Sequence, residues 1–406
     1  MRILFVALIY NPLSARWIDQ VSDLGWELYC TGAGSPVHPL FRNITIYGSY
    51  PQKQIPKSVT YKSAWPLPGG MGRGKLKQMF PGLAKKLALD PAEQLARLIV
   101  KLKPDVIHSL KMQDEAYTVL GAARLLGGNL PCPWVYSVWG SDIYRFRHFP
   151  DHVDRIKAVL TSCDYLLADN PRDIDLAVEH GFSGKVLGVL PTGGGYPVTA
   201  MQSTIKENPS QRKIIAIKGY QEKHGGQAIT ALEAVQRCGA IFADYRIIVH
   251  SAIGSYASAE FDRVRAKAAE VSAQCSVPIE FLPYNPPEKI WELFARSRIA
   301  IAISNSDGTP NAMLEAMIAG AFPIQSNTGG LEPWIDSGVN GFLVPFDEVE
   351  RIAEAITRAV SDDQLVDHAA EINLRETRAR LDRQVIKAQT IDLYKTVVRQ
   401  PVRQVP

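Results

Sequence analysis

Along this chain, short runs that are wholly apolar alternate with stretches whose apolar residues recur every three to four positions. Arg2 to Leu8 is a continuous apolar run and predicts a strand, Ser14 to Leu24 has helical spacing and stops at Gly25, and Trp26 to Thr31 predicts the next strand. Strand, helix and strand in that order make the repeating unit of a parallel sheet. Further strands are predicted at Asn43 to Tyr47, Asp105 to Ser109, Trp134 to Val138, Tyr165 to Ala168 and Val186 to Leu190. The segment Leu190 to Gln211 is rich in Gly, Pro, Ser and Thr without a period, and is expected to be a linker. Beyond it the pattern restarts, with strands at Lys213 to Lys218, Tyr245 to His250, Ile279 to Leu282, Ile299 to Ile303 and Phe322 to Gln325. The fold class is α/β. Two doubly wound parallel-sheet domains are expected, at 1–195 and 205–383, with a helix at about 384–400 packing back on the first. Open sheets of this kind bind ligands beyond the carboxyl ends of their strands, so the function is expected in a cleft between the two.

Composition narrows this picture only slightly. An apolar fraction of 46% and a charged fraction of 21% are those of a globular chain. The first apolar run is about nine residues long, and no window reaches the ~18 uninterrupted apolar residues of a membrane-spanning helix. The five cysteines (Cys30, Cys132, Cys163, Cys238 and Cys275) are scattered and never form a CxxC pair. That pattern argues against a disulfide framework and a zinc site, and a reducing cytoplasm is expected. Net charge is only +4, yet no acidic residue falls between Glu27 and Asp90, where Arg42, Lys53, Lys57, Lys62, Arg73, Lys75, Lys77, Lys85 and Lys86 lie. In residues 53–89 the lysines mix with Leu, Met and Phe. This suits the surface of an anionic membrane or a phosphate-bearing acceptor, and equally a basic loop with an ordinary surface helix. Recognised nucleic-acid motifs are missing, so no nucleic-acid partner is expected.

The chemistry concentrates in RIAIAISNSDGTPNAMLEAMIAGA, Arg298 to Ala321. An apolar strand ends at Ser304, a polar loop follows, Thr309 is expected as N-cap with Pro310 as first helical residue, and Gly320 closes the helix. A helix start at the carboxyl edge of a parallel sheet offers free backbone N–H groups and a positive dipole end to an anionic phosphate. Glu315 is the single charge of an otherwise apolar helix and is expected to be buried on most sides, in need of partners. Two neighbouring ribose hydroxyls would supply them, as would a core arginine or a backbone amide.

Asp307, seven intervening residues, then Glu315-Ala316-Met317 with Ala319-Gly320 behind them resemble the signature of family 4 of the glycosyltransferases, the large retaining family of the GT-B fold. The continuation NTGGLEPWIDSGVNGFLVP, with Gly329-Gly330 at a tight turn, fits the same family. The resemblance implies two Rossmann-like domains facing across a cleft and a nucleotide-diphosphate sugar as donor. It implies that Glu315 binds the ribose, that Gly308, Thr309, Pro310, Asn311, Ala312 and Met313 hold the diphosphate and sugar through backbone groups, and that Asp307, where the family usually has Glu, bonds the sugar.

IAIKGYQEKHGG resembles the family's phosphate loop, with Lys223 at its usual lysine, Tyr220 where an arginine is common, and Lys218 just before Gly219. Lys218, Gly219 and Tyr284 complete the expected donor site. KPDVIHSL and VYSVWGSDIYR resemble two strands and exit loops of the N-terminal domain, placing His108, Trp139, Gly140 and Asp142 on the side of a saccharide or lipid-linked acceptor; Trp139 stands where the family has His. Retention of configuration, no cofactor and no metal are implied, with a role in bacterial polysaccharide or glycolipid assembly, in the cytoplasm or on the inner face of its membrane. Asp173-Ile174-Asp175 matches the Asp-x-Asp of metal-dependent transferases, but its setting reads as a capped surface helix. Gly32-Ala33-Gly34 lacks the third glycine of a dinucleotide fingerprint. An epimerase of nucleotide sugars and a non-catalytic binding subunit on the same fold are the competing readings.

Overall fold

The computed structural model describes residues 1–48, 52–63, 90–219, 225–250, 259–282 and 286–399. Their contacts divide the chain into two compact units, Met1–Gly195 together with the chain from Ile386 onward, and Tyr196–Val385. In the first unit the elements are β1 (Arg2–Val6), α1 (Pro12–Asp19), β2 (Glu27–Gly32), β3 (Ile44–Gly48), β4 (Val59–Ser63), α2 (Pro91–Leu102), β5 (Val106–Leu110), α3 (Tyr117–Leu125), β6 (Trp134–Ser137), α4 (Pro150–Ser162), β7 (Tyr165–Ala168), α5 (Pro171–Glu179) and β8 (Lys185–Val189). The strands form one parallel sheet in the order β4-β3-β2-β1-β5-β6-β7-β8. Every residue of β5 is buried, as in a parallel strand covered on both faces.

The second unit runs α6 (Val198–Gln202), β9 (Ile214–Lys218), α7 (Ala228–Cys238), β10 (Arg246–His250), α8 (Ala259–Cys275), β11 (Ile279–Phe281), α9 (Pro287–Arg296), β12 (Ile299–Ala302), α10 (Asn311–Ile318), β13 (Phe322–Ser326), β14 (Phe342–Val344), α11 (Val349–Ser361) and α12 (Asp363–Leu381). Its sheet is again parallel, ordered β11-β10-β9-β12-β13-β14. The last helix, α13 (Arg383–Arg399), ends on the first unit, where Tyr394 is fully buried and its hydroxyl accepts the indole N–H of Trp17 at 2.9 Å.

Helices α1, α2 and α5 begin with one device. Asn11, Asp90 and Asn170 each sit in extended geometry before a proline and accept a backbone N–H two residues on, at 2.7, 2.9 and 2.9 Å. This cap starts α1 at Pro12 rather than Ser14, and the helix ends at Asp19, with turns carrying the chain on to Leu24. Two strands escape the apolar pattern. β4 has a single buried residue, and β14 is only three residues long. The stretch expected as a linker is structured: Tyr196, Val198 and Met201 are buried against α10 residues Met313, Leu314, Met317 and Ile318. No described helix is long and apolar enough to cross a membrane. Most of the basic stretch, residues 64–89, lies outside the described residues.

Candidate functional site

In the second unit the carboxyl ends of β9, β12 and β13 converge. The loop leaving β12 is folded by serines: the Ser304 amide donates to Ser326 Oγ at 2.9 Å, and Ser304 Oγ both donates to the Ser306 carbonyl at 2.9 Å and accepts the Ser306 amide at 3.3 Å. Thr328 Oγ1 donates to the Asp307 carbonyl at 3.1 Å, tying in the turn that contains Gly329 and Gly330, whose φ values are 87° and 74°. The chain following β9 is strapped to the same loop, through Asn305 N to Gly225 O at 2.8 Å and Gln227 N to Ile303 O at 2.9 Å. Gly225 has φ 93°, and a Cβ there would stand 3.0 Å from Asn305 Oδ1, so the strap requires glycine.

Helix α10 starts one residue later than expected. Pro310, with ψ 125°, is extended and is itself the N-cap, while Thr309 is 6% exposed and behind it. Proline, with no N–H to give, suits either position, and here its extended ψ sets it outside the helix. Leu314 N makes the first helical bond, to Pro310 O at 3.2 Å, which leaves the amides of Asn311, Ala312 and Met313 without an acceptor inside the helix. Asn311 Oδ1 accepts from the Tyr196 hydroxyl at 2.6 Å. Gly320, φ 71°, closes the helix.

Glu315 corrects the expectation of a buried carboxylate, being half-buried. Met313, Leu314, Ala316, Met317 and Ile318 are buried, while Asn311, Ala312 and Glu315, three and four apart, form one accessible stripe. Glu315 therefore lies about 3 to 6 Å along the axis from the amides of Asn311, Ala312 and Met313. Asp307 Oδ1 accepts the Gly308 amide at 3.1 Å, and its Oδ2 lies 3.8 Å from Lys218 Nζ, with the two side chains 25% and 16% exposed. The Gly219 amide donates to the His250 carbonyl at 2.7 Å. Burial, with the Lys218 charge adding to it, pushes the His250 imidazole down to about 3, so it is neutral. A small cavity under the first turn of α10 is lined by Lys218, His250, Ala312, Met313 and Gln325. Lys223 and Tyr284 lie outside the described residues.

In the first unit the sequence-selected residues separate. His108 is fully buried, with Nδ1 2.7 Å from the Tyr394 hydroxyl and Nε2 2.7 Å from Ser137 Oγ. Burial lowers it to about 3, and both ring nitrogens are occupied, so it is a core residue rather than a ligand-facing one. Asp142 is also buried, and its Oδ2 accepts the Met112 amide at 2.8 Å, the Trp139 amide at 3.0 Å and the Tyr136 hydroxyl at 3.1 Å. It pins the exits of β5 and β6 together, and burial raises it to about 7 against those three bonds. Trp139 is half-buried with its indole N–H lacking a partner, and Gly140, φ 39°, gives its carbonyl to Arg172 Nη2 at 2.9 Å.

Asp173 is not on a surface but fully buried, paired with Arg172 at 2.8 Å. Among the described residues no group of three His, Cys, Asp or Glu side chains could hold a metal ion. Sequence reasoning passed over Gln113 and Glu115, 7% and 3% exposed at the exit of β5. Their signal was polar residues in Lys111 to Glu115 directly behind an apolar strand.

Two parallel-sheet units, each with a polar constellation at strand carboxyl ends, define a two-domain α/β protein. The comparisons make this specific. Residues 205–377 match the family model "Glycosyl transferases group 1", and residues 76–170 match "Glycosyl transferase 4-like". The D-inositol 3-phosphate glycosyltransferase of Acidothermus cellulolyticus is 28% identical over 114 residues, 28% of this chain and 25% of that protein, so the match spans about a quarter of the relative. Among solved structures, the Anabaena protein HepE in complex with UDP and glucose superposes with a TM-score of 0.67 at 16% identity, covering 98% of this chain and 100% of that one. The sucrose-phosphate synthase of Thermosynechococcus elongatus gives 0.68 at 14% identity, covering 97% and 98%. These likenesses establish the GT-B fold. Both matched segments, one in each unit, are thus similar to glycosyltransferases, a class of enzymes.

Proposed function

We propose that this protein transfers a glycosyl group, with retention of configuration and without a metal, from a nucleotide-diphosphate sugar to a hydroxyl of a saccharide or lipid-linked acceptor in polysaccharide or glycolipid assembly. The observation that carries the reading is the accessible stripe of α10, with free amides at its start and Glu315 one turn in. A diphosphate fits the amides and the dipole end, and two ribose hydroxyls fit a carboxylate about 3 to 6 Å further along the axis. HepE, whose solved structures hold UDP, UDP and glucose, or UDP-glucose, lends support for such a donor.

In this reading the bond from the sugar C1 to the diphosphate oxygen breaks with its electron pair going to the diphosphate. The acceptor oxygen then bonds to C1 on the same face, and its proton passes to the departing oxygen. The task of the protein is to stabilise charge growing on the leaving group. The α10 amides and Lys218 do so most strongly when that charge is fully developed. Asp307, beside Lys218, keeps the ammonium at this end of the helix.

A thermal-shift panel of UDP, GDP, ADP and their sugars identifies the donor: one nucleoside diphosphate and its sugar raise the melting temperature, and EDTA leaves the shift unchanged. Proton NMR of the glycoside formed reads the anomer. An inverted product ends the retaining assignment, and a shift that EDTA abolishes ends the metal-free one. The lipid-linked preference draws on the basic residues 53–89, and charge reversal at Lys75, Lys77, Lys85 and Lys86 is expected to abolish binding to vesicles containing phosphatidylglycerol.

A further inference from the structure

One face of the second sheet is covered by α9 and α10, where Ala216 of β9 and Ala300 of β12 pack with Leu293 and Phe294 of α9 and Ala316 of α10. Two residues further along each strand, the same face carries Lys218 and Ala302. The strand registers set His250 opposite Lys218 and Gln325 opposite Ala302, and they set Ile217 opposite Ile301, one step before Lys218 and Ala302. His250, Lys218, Ala302 and Gln325 therefore form one row across β10, β9, β12 and β13, and all four line the small cavity under the first turn of α10.

The row has a gap in it. Neighbouring strands stand about 4.8 Å apart, so the backbones at Lys218 and Gln325, with β12 between them, are roughly 10 Å from each other. Between them Ala302 contributes one methyl group, and the cavity that it lines has a volume of about 10 Å³, the room of a single water molecule. Gln325 is 1% exposed, and its Nε2 donates to Ser326 Oγ at 3.2 Å. That bond fixes the amide and leaves its oxygen over: Oε1 is buried without a hydrogen-bond partner.

A buried carbonyl oxygen left unmet is costly, and buried waters sit where they bridge such groups. The other polar side chains lining the cavity are Lys218 and His250. The Lys218 ammonium, 3.8 Å from Asp307 Oδ2, is a donor with three protons to place. Its charge is felt along the row, where it adds to burial in lowering the neutral His250 imidazole. An anion in the cavity would meet the carbonyl oxygen with further acceptors, and an apolar guest would leave it unmet. A water molecule accepts from the ammonium and donates to the oxygen.

We propose that Gln325 is a positioning residue for Lys218: a single water molecule in this cavity accepts from Lys218 Nζ, donates to Gln325 Oε1, and so holds the ammonium at the start of α10. The water site is argued from the row alone. The inference rests on the transfer reading above only in taking the held ammonium as the one that meets the diphosphate. Ala302 makes the room, since a larger side chain between Lys218 and Gln325 closes the gap.

Crystal structures of the full chain and of Gln325→Met, which keeps the volume and loses the acceptor, read the site directly. In the parent, one water peak is expected within hydrogen-bond distance of both Gln325 Oε1 and Lys218 Nζ; in the variant, its loss is expected together with a displaced Lys218 side chain. A parent cavity without that peak, or a Lys218 that keeps its place in the variant, would overturn the proposal. Calorimetric titration of UDP, GDP and ADP, and of the matching monophosphates, separates positioning from support of the loop through Ser326. Gln325→Met is expected to bind the preferred diphosphate about threefold more weakly and its monophosphate as the parent does, and to lose nothing further when combined with Lys218→Met. Equal losses in both backgrounds would end the positioning role. Ala302→Val, which fills the gap and leaves each polar group in place, is expected to show the loss seen for Gln325→Met, and unchanged affinity counts against the water. A parent that binds no nucleoside diphosphate counts against the donor reading, and the two crystal structures still decide this one.

Discussion

The exits of β12 and β5 solve opposite electrostatic problems with similar materials. Behind β12, serine hydroxyls and Thr328 satisfy the loop internally, and what remains exposed is donor-rich: free amides at the start of α10 and the Lys218 ammonium, with Asp307 beside it. Behind β5, one carboxylate, Asp142, absorbs the donors, and what remains without a partner, Gln113 Oε1 and Glu115 Oε2, is buried. The first is suited to an anion, whereas the second is closed off inside its unit. A single sheet architecture therefore yields one accessible exit and one sealed exit, according to which side chains are consumed in building the loop.

The largest expected effect separates the two exits by stability. Asp142→Ala orphans two amides and a phenol, and is expected to lower stability by about 3 kcal/mol in urea unfolding. Asp307→Ala removes a loose pair that is partly in water, and its cost is expected to stay under about 1 kcal/mol. Similar losses in both would erase the distinction. Next comes pH. Glu115 has an ordinary carboxylate value when unfolded and about 8 when folded, so in between only the folded protein keeps the proton. Rising pH then favours the unfolded chain, and the stability present below about pH 4.5 is lost as pH climbs through the folded value. Relative to the parent, Glu115→Gln is expected to gain stability by one to a few kcal/mol, roughly, between pH 5 and 8.5, and a difference that does not change with pH would contradict this burial. The smallest effect concerns Lys218. Lys218→Met is expected to weaken nucleoside diphosphate binding about tenfold while leaving a nucleoside monophosphate within about threefold, measured by calorimetry.

Much of this was legible in the chain. The apolar runs that became β1, β5, β9, β12 and β13 are buried on both faces, so they stand out without alternation, whereas β4, with one buried residue, cannot. The start of α10 was readable to within one residue, the error being proline's own extended ψ. His108 could not be read correctly, because the Tyr394 that occupies it is 286 residues away, brought in by α13. Glu315 was expected buried, since apolar neighbours on both sides in sequence conceal that residues three and four apart share the open face. Lys111 and Asp114 carry no glycine or asparagine to announce a positive φ, so the geometry of the turn that buries Gln113 and Glu115 was hidden even though its polar residues stand out behind an apolar strand.

Calorimetric titration of UDP, GDP and ADP into the full chain and into Glu315→Ala bears most directly on the central claim, that the accessible stripe of α10 holds the nucleotide. The parent is expected to bind one of the three, and the variant to lose about 3 kcal/mol, more than a hundredfold, through the two ribose hydrogen bonds to a carboxylate. Equal affinity in parent and variant would contradict it.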